Sequence, residues 1–294
     1  MLSRREIIGL LALGAASPAF GLGPLPSQPR LPWSSFRDTR DYRRLIDAVR
    51  AMKANSDTED PASWAFWAMI HMHHCPHGKP YFLAWHRGYL HLFEAKLREV
   101  SVSASLLVPY WDYFADPRIP AEFTDGGSAN PLFEPRIGAA VDKALGYAAF
   151  APDVTGFQRG SAANCFEAQV EAFHNKVHNL VGGRMATMLS PSDMLFWVHH
   201  ANIDRLWAAW GSAGAGRTIP AAADPYWGGD FDYAEGLTLP RKVGTLISPP
   251  SAAVVKGTVT STSSCPSTTL NRADRKSTRL NSSHTDISRM PASA

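Results

Sequence analysis

Phe173-His174-Asn175-Lys176-Val177-His178, followed by Ser190-Pro191-Ser192-Asp193-Met194-Leu195-Phe196-Trp197-Val198-His199-His200-Ala201-Asn202-Ile203-Asp204-Arg205-Leu206-Trp207, is the stretch that decides how this chain folds. His174 and His178 stand four apart in a segment with helical periodicity, Cys165 to Leu180, so their rings lie on one face and can grip a single ion. A second helix is predicted over Ser192 to Trp210, opened by the start signal Ser190-Pro191-Ser192-Asp193. Within it His200 shares a face with Phe196, Ile203 and Trp207, which points it inward, and His199 is expected to point elsewhere.

Working outward, the upstream counterpart reads Ile70-His71-Met72-His73-His74-Cys75-Pro76-His77-Gly78-Lys79-Pro80-Tyr81-Phe82-Leu83-Ala84-Trp85-His86-Arg87. Helices are predicted over Ser63 to His74 and over Tyr81 to Val100, the latter with the apolar stripe Leu83, Leu90, Phe93 and Leu97. A further helix over Asp38 to Ala54 carries Leu45, Ile46, Val49 and Met52. Residues 20 to 35 and Pro109 to Pro135 are rich in turn formers and read as extended and irregular chain, the latter around Tyr110-Trp111-Asp112-Tyr113. Beyond residue 211 the periodicity fades, leaving strand-like fragments such as Val243 to Ile247. Four histidine-bearing helices predict a mainly α fold, an antiparallel four-helix bundle whose interior houses the site, with irregular loops and few short strands.

Six of the eleven histidines fall between His71 and His91 and four between His174 and His200. Imidazoles in threes, without clustered carboxylates or a thiolate pair, favour Cu, Zn, Fe or Ni over Mg or Ca. Two such sets imply two neighbouring ions, which can clamp a small bridging ligand. One histidine on an apolar helix face is usually a core residue, and His73, His74, His91 and His199 are assigned that bland role. The Cys-x-x-Cys and His-Glu-x-x-His patterns of common zinc sites are absent. The tryptophans at 64, 67, 85, 197, 207 and 210 read as core.

Both blocks resemble the copper-binding motifs of the tyrosinase, catechol oxidase and haemocyanin superfamily: His-x8-His-Arg at His77 and His86, His-x3-His at His174, and Phe-x-x-His-His-x3-Asp from Phe196. The resemblance covers roughly residues 60 to 211. It implies two copper ions, the first on His71, His77 and His86 and the second on His174, His178 and His200. Among these His71 has His73 and His74 as neighbouring alternatives. It further implies an enzyme that uses dioxygen to oxidise o-diphenols to o-quinones and that, in some members, hydroxylates monophenols. Asn175 resembles the residue that in monophenol-hydroxylating members helps orient a basic water together with an upstream glutamate, for which Glu171 is the candidate. Where the family has Asp-Pro, this chain has Asp193-Met194, and Asp193 is expected to fix a ligand histidine through its other ring N–H. Cys75 stands two residues before His77, where some members form a Cys-His thioether; a free thiol is the alternative. A haemocyanin-like dioxygen carrier and a zinc-dependent hydrolase on the same histidines are the competing readings.

The ends carry different information. Ser3-Arg4-Arg5-Glu6-Ile7-Ile8-Gly9, an apolar run to Ala16 and Ser17-Pro18-Ala19 form a twin-arginine export signature, with cleavage expected after Ala19 and a periplasmic or secreted destination. That route carries folded, cofactor-loaded cargo. Residues 20–250 are then the catalytic domain, and 251–294 a disordered or non-native tail resembling translated adapter sequence. The net charge of +3 resides in the ends: Arg272 to Ala294 hold five basic residues against Asp274 and Asp286, and Arg4, Arg5 and Glu6 add one more. The body lacks a basic footprint, so no nucleic-acid partner is expected, nor a membrane beyond export. Three cysteines, Cys75, Cys165 and Cys265, are too few for a disulfide scaffold. The expected partners are a phenol and dioxygen; oligomeric state has no sequence signal.

Overall fold

The computed structural model describes residues 28–242 apart from 128, 147, 161–163 and 213–215. The export signature, the cleavage site, the fragment at 243–247, Cys265 and the tail lie outside the described residues, as do both expected domain boundaries.

Among the described residues six α-helices run in chain order: α1 Trp33–Phe36, α2 Arg40–Ala54, α3 Trp64–His74, α4 Phe82–Val100, α5 Phe166–Val181 and α6 Met194–Ser212. The four histidine-bearing helices α3 to α6 form the expected bundle. α2 is amphipathic, burying Leu45, Ala48, Val49 and Met52 at i, i+3, i+4 and i+7. α3 begins where Ser63 caps it, the hydroxyl accepting from the Ala65 N–H at 3.1 Å. α4 and α6 are different in kind. Every residue from Phe82 to Glu94 and from Met194 to Trp207 is buried, as befits helices enclosed on all sides. α5 buries one stripe, Phe166, Glu167, Val170, Glu171, His174, Val177, His178 and Val181, and that stripe contains four of the titratable groups that matter below.

Aromatic packing fixes the helices against one another. Phe93 on α4 stacks on Trp197 of α6 with ring centroids 3.5 Å apart. The indole N–H groups of Trp64 and Trp197 both donate to the Pro191 carbonyl, at 2.8 and 3.0 Å, tying α3 to the entry of α6. Residues 20–35 were expected to be extended, and Arg30 gives that segment an anchor. Its guanidinium donates to both Glu94 oxygens at 2.9 Å each and to Asp204 at 2.9 Å. Asp204 also pairs with Arg87, whose guanidinium lies 3.4 Å from the Trp207 ring centroid.

Between α4 and α5 the chain is irregular, with single turns at Ala121–Phe123, Asp142–Ala144 and Ala148–Phe150. After α6 comes a hairpin that the sequence reading did not pick out, β1 Asp230–Ala234 paired antiparallel with β2 Leu237–Pro240. It lies on α4: the Tyr233 hydroxyl donates to the Trp85 carbonyl at 2.9 Å, and only a glycine fits at Gly88, where a Cβ would collide with that hydroxyl. No described helix is long and apolar enough to cross a membrane.

Candidate metal centre

The six expected ligands converge. In the first trio, the ring centroids of His71 and His77 are 5.0 Å apart, His71 and His86 5.7 Å, and His77 and His86 5.8 Å. In the second, His174 and His178 are 4.3 Å apart, His174 and His200 4.8 Å, and His178 and His200 5.8 Å. The trios face one another, with His86 stacked on His200 at 4.2 Å and 11°. Burial separates His71 from its neighbours: it is 1% exposed, whereas His73 is exposed and His74 half-buried.

Backbone carbonyls set the ring tautomers. Nδ1–H of His71 donates to the Met188 carbonyl at 2.7 Å, that of His86 to Phe82 at 2.8 Å, and that of His178 to Met185 at 2.5 Å. A carbonyl can only accept, so each of these rings keeps its proton on Nδ1 and offers the lone pair of Nε2. Two of those lone pairs, on His71 and His178, are buried without a hydrogen-bond partner. Burial also pushes the rings toward neutrality, His71 down to about 3 and His178 to about 4, with His86, His174 and His200 held well below the usual histidine range. Neutral, pre-oriented imidazoles with unanswered nitrogens are what a pair of metal ions requires, and an all-nitrogen donor set fits copper.

Two phenylalanines brace the rings. Phe196 lies 4.2 Å from His200 and 5.1 Å from His71, and Phe82 4.6 Å from His86 and 4.8 Å from His174. Each stands four residues before a ligand on its own helix, a spacing visible in the sequence.

Two expectations are revised. Asp193 does not touch a ligand ring; it chelates Arg136 at 2.6 and 2.8 Å and caps α6 through the Leu195 N–H at 2.8 Å. The carbonyls already serve the role assigned to it. His199 does not point away: its ring is 5.1 Å from His174 and 5.0 Å from His178. Cys75 forms no disulfide among the described residues; its sulfur lies 3.6 Å from His77 Nε2 and 3.4 Å from His86 Nε2, with burial pushing its titration up. His91 is buried in α4, with neither ring nitrogen hydrogen-bonded.

Glu171 and Asn175, one turn apart on α5, flank His174. The Asn175 side-chain oxygen accepts from His174 Nδ1 at 3.0 Å, and Asn175 is solvent-exposed. Glu171 is buried; one oxygen accepts the Gly78 N–H at 2.5 Å and the other pairs with Arg159. Glu167, which the sequence reading passed over, accepts the Leu83 and Arg159 N–H groups, and burial raises it to about 7.

The common central domain of tyrosinase matches residues 48–140 and 128–213. A tyrosinase of Streptomyces glaucescens is 35% identical over 195 residues, which cover 51% of this chain and 69% of that protein. A haemocyanin of Enteroctopus dofleini is 30% identical over 176 residues, 50% of this chain and 6% of that one. Among solved structures, an active aurone synthase described as a polyphenol oxidase superposes with a TM-score of 0.59 at 20% identity, covering 73% of this chain and 81% of that chain. With six converging imidazoles inside that matched region, the chain belongs to the tyrosinase family of dinuclear copper proteins.

Proposed function

We propose that this chain oxidises o-diphenols to o-quinones with dioxygen and hydroxylates monophenols at the same site. The observation that carries the reading is the pair of facing trios with their tautomers set by backbone carbonyls. When bound, the two coppers supply a place where dioxygen is held and reduced while the phenol gives up electrons.

The chain's own residues do the rest. His71, His77 and His86 would hold one ion, and His174, His178 and His200 the other. The rings are neutral and buried, so metal uptake displaces little proton, and the bracing phenylalanines limit reorientation. Asn175 and Glu171 lie at i and i+4 along α5, beside His174, and orient a water that accepts the phenolic proton of a monophenol. A diphenol needs this water less, because its oxidation adds no oxygen to the ring.

Oxygen uptake by the copper-loaded chain against a monophenol, an o-diphenol and an o-aminophenol tests the reading; the absence of diphenol turnover at two coppers per chain would overturn it in favour of a carrier. Zinc in place of copper after purification under metal-replete conditions would favour the hydrolase alternative. Replacing Asn175 by Asp should depress monophenol hydroxylation more than diphenol oxidation, and equal loss of both would remove Asn175 from the mechanism.

We also infer export by the twin-arginine route, supported by residues 3–19. Converting Arg4 and Arg5 to Lys should retain the chain in the cytoplasm, and unchanged export would refute that route.

A further inference from the structure

His199 lies outside the six-ligand set yet packs against it. Its ring is 0% exposed, nearly parallel to His174 at 22°, and 5.3 Å from His200. Neither of its nitrogens has a hydrogen-bond partner, in contrast to His71, His86 and His178, each tied to a carbonyl through Nδ1. One nitrogen of His199 falls with one each from His174, His178 and His200 in a group whose members all lie within 4.8 Å of one another. Nitrogens at 2.0–2.1 Å from a tetrahedral ion stand about 3.3 Å apart. The group needs to contract by roughly 1.5 Å at most to close on one ion. His91 is also buried with both nitrogens unanswered, but among the described residues only His199 of the two is grouped with other candidate metal donors.

We propose that His199 is a fourth nitrogen ligand of the second metal pocket, engaged when that pocket holds an ion and the first is still empty. This rests on the copper reading above. Three protein ligands leave a coordination position open for chemistry, whereas four close the site and hold the ion more firmly. The second pocket therefore fills first, and a lone copper is kept in a closed, unreactive setting until its neighbour arrives. Among the described residues the first pocket has no fourth imidazole; its extra donor is the Cys75 sulfur, grouped with His71, His77 and His86.

The test adds one equivalent of Cu(II) to the metal-free full-length chain and counts bound imidazole nitrogens by electron–nuclear double resonance. Four nitrogens are expected in the unaltered protein and three in His199→Phe, with the single ion lost to a chelator at a concentration at least tenfold lower in the variant. His199→Gln, which keeps a polar side chain, should behave as His199→Phe does. Three nitrogens in the unaltered chain, or a copper–thiolate absorption band placing the first ion beside Cys75, would overturn the proposal. The count in the unaltered chain stands even if both variants misfold. A chain that takes up two coppers and turns over a diphenol, yet shows three nitrogens on its first ion, loses only the role of His199; one that takes up no copper loses the copper reading as well.

Discussion

Around Arg30, Glu94, Arg87 and Asp204 every buried charge meets an opposite one, while one turn back along α6 from Asp204 the rings around His200 leave nitrogens unanswered. Both clusters are polar, both are buried, and both are strung between α4 and α6. The first makes its hydrogen bonds within itself and accepts one from the Val108 N–H, on Glu94 at 2.9 Å. The second spends Nδ1 of three rings on backbone carbonyls and leaves other ring nitrogens without a partner. A self-satisfied network holds a bundle in register, whereas an unsatisfied one reserves its capacity for something that arrives later. The contrast locates the site within the molecule without reference to any relative.

Breaking the imidazole cluster should have the largest effect on activity and a small one on folding. His178→Leu is expected to reduce diphenol turnover to background and copper content from two to one per chain, measured by oxygen uptake and elemental analysis. The metal-free variant should differ in stability by only about 1 kcal/mol, because the lost bond to the Met185 carbonyl is offset by removal of an unpartnered nitrogen. If it unfolds as readily as an ion-network variant, the two clusters are not distinct in role.

The ion network should show the reverse. Asp204→Ala strands Arg30 and Arg87 as buried, uncompensated cations and is expected to cost about 3–5 kcal/mol in urea denaturation, with or without copper. An unchanged midpoint would mean that the network does not hold the bundle.

Acid distinguishes the clusters further. Burial lowers His71 to about 3 and His178 to about 4, and unfolding returns each to about 6.5. Below about 6.5 the unfolded chain takes up protons that the folded chain refuses, so the stability tied to these neutral rings is full above that pH, declines as it falls, and is gone by about 3. The melting temperature of the metal-free chain should therefore fall between pH 6.5 and 4. A flat profile there would show that the rings are open to water. The smallest effect is expected at Ser63→Ala, which removes the cap of α3 at a cost of about 1 kcal/mol in thermal melts and leaves copper content unchanged.

Local periodicity carried most of the fold. α2, α5 and α6 start and stop within two residues of the spans read from spacing, because amphipathic stripes and a Pro-containing start signal are written in neighbouring residues. The hairpin escaped because five- and four-residue strands give too few alternations to stand out, although Phe231 and Tyr233 are buried between exposed Asp230 and Asp232. The convergence of the six histidines was legible in part from spacing, as with His174 and His178 four apart, and in part only through the family resemblance that singled out His71, His77 and His86. His199 was misplaced by a helix-face argument that assumes one side of α6 meets solvent, and α6 has no such side along its histidines. Asp193 was misassigned because its partner, Arg136, arrives from 57 positions away.

The short segment after α5 leaves the helix through Gly182 and Gly183, both with positive φ, at 69° and 58°. A Cβ at Gly183 would strike the Pro135 carbonyl, so the path is fixed by contact as well as by torsion. Within a few residues that path presents the Met185 carbonyl to His178 and the Met188 carbonyl to His71, one ring from each trio. A single stretch of backbone thus works as a gauge between the two pockets: shortening or lengthening it would retune both at once, and neither can drift without the other.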